Sequence, residues 1–332
     1  MRVLVTGGAG YVGSHMVKTL LDAGHEVVVL DDLSTGYRDA VHGKARFVEG
    51  DVGNTPFVGA LLRDERIEAV CHFAAKIRVE ESVSAPRLYF QGNVVRTLGL
   101  LEAVLDARAP GKSTPPAFVF SSTAAVYGTP DSTPIDEDHP KRPENPYGET
   151  KLAVERALEA YGRAYGLAWT ALRYFNAAGA DPDAGLGERH EPETHLIPLV
   201  LEAAAGERKA VSIFGTRWPT PDGSCVRDYI HVRDLADAHL AALQHLASGG
   251  APGAFNLGTG HGHSVREVIA SVERVTGRTV PVVEAPPRAG DPAELVAKVE
   301  RADKVLGWRA RRTDLDTIVR DAWAWKLQAK QG

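Results

Sequence analysis

The run RVLVTGGAGYVGS at residues 2–14 leads an apolar, β-branched stretch into Gly7, Gly10 and Gly13 and then into residues of helical pattern. Few local geometries call for three positions without side chains between a strand and a helix. Such glycines allow a tight turn, close backbone approach to a pyrophosphate, and close packing of helix on strand; the helix N-terminus adds unpaired amides and a favourable dipole. The spacing, GxxGxxG, is one residue longer than the GxGxxG dinucleotide fingerprint, so a plain strand-to-helix turn stays open at this point.

The following segments repeat the same alternation. HEVVVLD, ARFVEGD, EAVCHFAA, AFVFSS and AWTALRYFN are strand-like, and helical stretches separate them. This predicts an α/β fold, a doubly wound parallel-sheet Rossmann domain over residues 1–176. APGKSTPPA at 109–117 reads as a surface loop, because its prolines cannot continue the preceding helix. Beyond Asn176 the pattern loosens into DPDAGLGERHEPETH, then a helix around Ile197 to Ala205 and strand-like VSIF. Residues 177–332 are therefore expected to form mainly a smaller mixed α/β domain for substrate. YIHVRDLADAHLAALQHL reads as helical in the style of the first domain, so part of 225–260 is expected to return and complete the sheet.

Charge narrows the ligands. With 38 basic and 43 acidic residues and a net charge of -5, the chain offers no general nucleic-acid surface, so an anionic ligand needs a few placed cations. No run of about 18 apolar residues could cross a bilayer. Strand-like Val3 to Val5 begins almost at Met1, leaving no room for an export signal, and cytoplasmic residence is expected. Cys71 and Cys225 read as reduced thiols. The twelve histidines show neither HExxH nor a Cys/His cluster, and His261/His263 is only an alternating pair in a Gly-rich turn; no metal is expected.

Asp31 ends the second strand-like run about 20 residues after the glycines, where a carboxylate can accept both ribose hydroxyls and would repel a 2'-phosphate. NAD is therefore expected rather than NADP. Asp51 is similarly placed after the third run, a structural turn residue being its alternative role. Phe73, Ala74 and Ala75 follow the fourth run and are mostly small where a cofactor backbone would lie. Tyr147 and Lys151, in YGETK, stand four apart on one face near a helix start. A phenol ionises near pH 10, and a neighbouring ammonium and a positively charged nicotinamide both favour the phenolate, making Tyr147 a candidate base. Thr123, at the carboxyl end of a strand, can relay a hydrogen bond between substrate and Tyr147.

Through TGGAGYVGSH, HFAA, FSSTAAVYG, NPYGETK, RYFNAAGA, IFGTRWPTPDGSCVRDYIHVRDLADAH and FNLGTG, nearly the whole chain resembles the extended short-chain dehydrogenase/reductase family. The resemblance implies NAD held by Tyr11, Val12, Asp31, Asp32, Leu33, Ser34, Thr35, Gly36, Asp51, Val52, Phe73, Ala74, Ala75, Lys76, Ile77, Asn93, Thr123, Tyr147, Lys151 and Phe175, alongside Gly7, Gly10 and Gly13. It implies UDP held by Asn176, His195, Leu196, Ser212, Ile213, Phe214, Arg227, Tyr229, Arg288 and Asp291, with Thr123 and Tyr147 at the sugar. His195 stands where some members carry asparagine, and backbone contact or edge packing is expected of it. Forked hydrogen bonds from Arg227 and Arg288 could clamp a diphosphate, and Asp291 could serve a ribose or an arginine. The implied reaction interconverts UDP-galactose and UDP-glucose through a 4-keto sugar, with retained NAD, in a homodimer. Ala124 and Ala125 stand where sugar-dehydratase relatives carry an acid pair, so loss of water is not expected. Two alternatives remain: another UDP-sugar substrate, N-acetylated or pentose, for which small Leu295 leaves room, and a non-catalytic NAD-binding regulatory protein.

Overall fold

A computed structural model of the chain describes residues 1–107, 114–288 and 291–329. Its centre is a seven-stranded sheet in the order Gly253–Leu257, Trp169–Tyr174, Ala117–Thr123, Ala69–His72, Arg2–Thr6, Glu26–Asp31, Arg46–Glu49. Every neighbouring pair is parallel. Strands buried on both faces need continuous apolar runs, which is why Val3, Leu4 and Val5 and then Val27 to Leu30 are all buried. The strand order reverses between Arg2–Thr6 and Ala69–His72, so a crevice opens at the carboxyl ends there.

One face of the sheet is covered by helices Tyr11–Asp22 and Val232–Ala247, whose Met16, Leu20, Leu235 and Leu243 share a core with Val5 and Val29. The other face carries Thr55–Asp64, Arg96–Asp106 and Pro146–Tyr165, packed through Leu62, Leu101, Val104, Val154 and Leu158. A third core joins Leu196–Ala204, Val265–Thr276 and Leu315–Ala329 to the strand pair Val211–Phe214 and Val282–Ala285.

Some local readings change. YIHVRDL is not helical throughout: Tyr229–His231 is a strand paired with Asn176–Ala178, and the helix starts only at Val232, where the His231 side chain accepts from the Arg233 amide. β-branched and aromatic residues at 229–230 favour the pairing over the helix. The helix that precedes residue 108 runs from Pro86 to Asp106, widened over Phe90–Val95, and a separate short helix, Val79–Ser84, comes before it. Of the expected surface loop, residues 109–113 lie outside the described residues, while Pro115 and Pro116 are buried.

A buried ion pair ties the helix Pro146–Tyr165 to the sheet. Glu155 meets Arg173 at 2.5 Å with both side chains under 8% exposed, and Ser122 Oγ donates to the same carboxylate at 2.5 Å. Arg173 also donates to Tyr127 Oη and to the Glu137 carbonyl. Removing one partner strands a charge in the interior. Arg173→Ala is expected to lower stability by about 3–5 kcal/mol, seen as a lower urea midpoint at unchanged slope; a midpoint equal to the parent's would show that the pair carries no such weight.

Candidate active site

Strand ends and the loops after them line a cleft of about 1640 Å³. Its floor is the glycine loop. Gly7 has φ +72, and a Cβ there would lie 2.5 Å from the Ala74 amide nitrogen; at Gly13 it would lie 2.1 Å from the Gly7 carbonyl oxygen. No side chain fits either position, so the loop folds flat against the start of helix Tyr11–Asp22, whose first-turn amides, Tyr11 to Gly13, have no intrahelical acceptor. This is a cradle shaped for a pyrophosphate.

Asp31 does more than the sequence shows. Its carboxylate accepts the Ala9 amide and the Leu33 amide, each at 2.9 Å, and so joins the glycine loop to the turn after its own strand. Burial raises its pKa, opposed by those two amides. Each oxygen keeps lone pairs for ribose hydroxyls.

Of the residues singled out by sequence, Asp51, Asn93 and Ser212 to Phe214 do not line the cleft; the others do. Asp51 accepts from the Gly53 amide and pairs with Arg96. Asn93 is buried and clamps Lys76, taking its amide at 2.7 Å and donating to its carbonyl at 2.9 Å, with a further bond to Thr150. It shapes the wall from behind. Ser212, Ile213 and Phe214 belong to the strand Val211–Phe214, with Ile213 in the third core, although the Phe214 ring supports the Arg288 guanidinium at 3.9 Å. Arg288 also reaches Glu80 at 3.2 Å. Asp291 faces Arg227 at 3.6 Å. Next to Arg227, buried Asp228 accepts the Thr259, Gly260 and Ala297 amides, which accounts for the FNLGTG turn.

Thr123 ends its strand, and the Asn145 side chain caps the helix that carries Tyr147 and Lys151 by accepting the Gly148 amide. Lys151 donates to the Ser121 carbonyl at 2.9 Å, and its Nζ lies 5.9 Å from the centre of the Tyr147 ring. Burial pushes the Tyr147 phenol up to about 12, with the Thr123 hydroxyl pulling the other way. Burial also lowers Lys151 to about 7, opposed by Glu155. The expected help from the ammonium is thus not what dominates in the protein alone: desolvation pushes both groups towards neutrality. Sequence reading also missed Tyr174, whose hydroxyl meets Ser121 Oγ beneath this pair.

It missed a second group as well. Glu188, His190, Glu193 and His195 converge at another part of the cleft lining. The His195 side chain is engaged within this group: its Nδ1 lies 2.8 Å from Glu188 and 2.9 Å from Glu193. Burial disfavours its charge, but the two carboxylates outweigh that and raise it to about 10. Beside them, Arg189 stacks on the Tyr37 ring at 3.4 Å and pairs with Asp39 at 2.5 Å, joining this wall to the loop after Asp31. The signal was present as alternating Glu and His in GERHEPETH, a pattern outside the familiar metal motifs.

The family model for the NAD dependent epimerase/dehydratase family matches residues 3–258. The chain belongs to that family. UDP-glucose 4-epimerase of Corynebacterium glutamicum is 52% identical over 98% of this chain and 95% of its own length, and that of Lacticaseibacillus casei is 47% identical over 100% and 98%. Among solved structures, UDP-glucose 4-epimerase from Brucella ovis in complex with NAD superposes with a TM-score of 0.93 at 48% identity, covering 97% of each chain. The enzyme from Bifidobacterium longum, in complex with NAD+ and UDP, gives 0.92 at 35% identity over 100% of both. Like other members of the epimerase/dehydratase family the protein uses NAD, and the glycine cradle, with no room for a Cβ at Gly7 or Gly13, fits it.

Two outcomes follow from this geometry. Gly13→Ala is expected to purify without dinucleotide while the parent retains it, as read by chromatography of the denatured protein's supernatant; equal retention would show that the loop tolerates a methyl. In protein stripped of dinucleotide, burial disfavours the phenolate, so the tyrosinate absorbance that separates the parent from Tyr147→Phe should be absent at pH 9 and emerge only towards pH 12. Its appearance near pH 7 would mean that Lys151 alone tunes the base.

Proposed function

We propose that the protein is an NAD-dependent enzyme that interconverts UDP-galactose and UDP-glucose. The observation that carries this is the placement of Thr123, Tyr147 and Lys151 on one wall of the cleft, with the glycine cradle below them and Arg227 and Arg288 beyond. Bound NAD supplies the acceptor and donor of hydride at carbon 4 of the sugar. Gly7, Gly10, Gly13 and Asp31 hold its pyrophosphate and ribose, the loop from Asp32 to Gly36 with Val52 covers the adenine side, and Phe73 to Ile77 and Phe175 complete the site.

Tyr147 takes the 4-hydroxyl proton while Thr123 bridges it to the sugar. Because the buried phenol sits near 12 in the protein alone, added positive charge in the site is what brings it towards neutrality. Lys151 orients the ribose. Arg227 and Arg288 take the diphosphate, Arg288 exchanging Glu80 for phosphate oxygens, and Asn176, His195, Leu196 and Tyr229 border the rest of UDP. With the uridine handle held in place the sugar can turn within the cleft, and Tyr147 would return the proton to its 4-oxygen. Net oxidation is zero.

No helix of the described residues is long and apolar enough to cross a membrane. Cytoplasmic residence and a role in galactose metabolism belong to the same proposal. So does the division into an NAD lobe of 1–176 with part of 225–260 and a sugar-nucleotide lobe over most of 177–332. A homodimer is supported by exposed Val83, Leu88, Phe90, Val95 and Tyr165 on the helices flanking the outer side of the sheet. UDP-N-acetylhexosamines form the second reading, favoured by Leu295, which lines the cleft with a side chain smaller than a tyrosine.

Incubated with UDP-galactose and no added NAD, the purified protein is expected to produce UDP-glucose to equilibrium, followed by proton NMR. Tyr147→Phe should lower kcat by about 10²–10⁴. Failure of the parent even with NAD supplied would overturn the substrate, and near-parental turnover by the variant would overturn the role of Tyr147.

A further inference from the structure

The segment GERHEPETH brings four potential metal ligands together in a few residues. The backbone at 187–190 is irregular and bends at 191–192, then runs on to the helix at Leu196. Glu188 and His190 stand two apart on one side of the bend and Glu193 and His195 two apart on the other. One ligand atom from each of the four lies within 4.8 Å of every other. The nitrogen-to-carboxylate separations are 2.8, 2.9, 3.2 and 3.7 Å. A tetrahedral zinc shell, with bonds of about 2.0–2.2 Å, sets its ligand atoms about 3.4 Å apart.

The hydrogen bonds and ion pairs of the group leave one nitrogen without an aligned acceptor. His190 Nδ1 is sequestered from solvent and has no aligned acceptor, although Glu188 is 3.2 Å away. A single Nδ1–H on His195 faces two carboxylates and can serve one of them well. Glu193 Oε1 already accepts the Thr194 and His195 amides, at 2.7 and 2.8 Å. The Glu188 side chain, 7% exposed, is paired with both imidazoles. One divalent cation in place of the shared protons would neutralise both carboxylates and use the Nδ1 lone pair of each neutral histidine.

We infer that Glu188, His190, Glu193 and His195 form a binding site for a divalent first-row cation, zinc by ligand type. Two imidazoles and two carboxylates match zinc better than magnesium or calcium, which take oxygen donors. Four protein ligands close the tetrahedron, so the ion is structural and leaves no position for substrate. Its place in the fold says what it fastens. The Glu188 carbonyl accepts from Trp325 Nε1 of the last helix at 3.3 Å, the His190 ring lies edge-on to Tyr11 of the glycine loop, and Arg189 grips Tyr37 and Asp39. The ion would therefore pin the segment that bridges the two walls of the cleft. This departs from the sequence expectation of no metal, which rested on motif spacings that this set does not share, and it is independent of which sugar is bound.

The test loads the purified holoenzyme with Zn²⁺, desalts it, and measures metal by mass spectrometry together with the thermal midpoint. About one zinc per chain, a midpoint raised by zinc and lowered by a chelator, and almost no zinc on Glu188→Gln are expected. No retained zinc in the parent, or retention by Glu188→Gln equal to the parent's, would overturn the assignment. Should Glu188→Gln not fold, the zinc K-edge spectrum of the loaded parent decides alone: a four-coordinate N/O shell with two imidazoles supports the site, and a sulfur ligand or a six-coordinate oxygen shell refutes it.

Discussion

A carboxylate and a guanidinium buried from solvent organise the working half of this molecule. Glu155 sits one helical turn beyond Lys151, and Arg173 lies on the neighbouring strand Trp169–Tyr174. Their contact sets how far the helix of Tyr147 stands from the strand that ends in Thr123. It also extends further: Arg173 holds Tyr127, Tyr127 donates to Asn256 on the edge strand, and Asn256 donates from its side chain to the Ile135 carbonyl. Ile135 in turn bonds the backbone at Val296 and Lys298. One polar network thus runs from the helix of Tyr147 through the sheet to the segment that follows the short strand Glu294–Leu295, whose Leu295 lines the cleft. Such a network specifies a unique arrangement only while each member is satisfied.

The same dryness shapes the chemistry. A solvated tyrosine and lysine would hold ordinary protonation states and differ little with what occupies the cleft. Burial instead leaves a phenol reluctant to ionise beside an amine reluctant to stay charged. Charge arriving with bound ligands then has large effects, because little solvent screens it. On the proposed reaction, the base is competent only in the assembled complex, and free protein is kept from random proton transfer.

Much of the fold was legible because its signals are local and repeated. Alternating apolar runs and helical stretches give a parallel sheet almost by necessity, and Gly7 and Gly13 announce a turn that no other residue could make. Tyr229 to His231 was misread because a short strand and the start of a helix share an apolar pattern, and only pairing with Asn176–Ala178 decides between them. In the site, the residues drawn from strand ends line the cleft as a group. Those that act from behind, such as Asn93 on the Lys76 backbone and Asp228 on the 259–260 turn, carry no pattern along the chain, since their partners are distant in sequence. The wall of Glu188 to His195 was overlooked for the opposite reason: it is entirely local, but its spacing matches no common motif.

Asp31 bears on redesign. On the proposed reading, a site that is to accept a phosphorylated dinucleotide would lose the carboxylate that repels the extra phosphate and gain a cation. Here the carboxylate also holds the Ala9 amide of the glycine loop and the Leu33 amide of the next turn. Leu33 itself sits at φ +55, a conformation that costs a branched side chain something and is held in place by that bond. Exchanging Asp31 alone would loosen the cradle before it widened the choice of cofactor. A successful switch must supply a new acceptor for two backbone amides, so selectivity in this protein is inseparable from the loop's own framework.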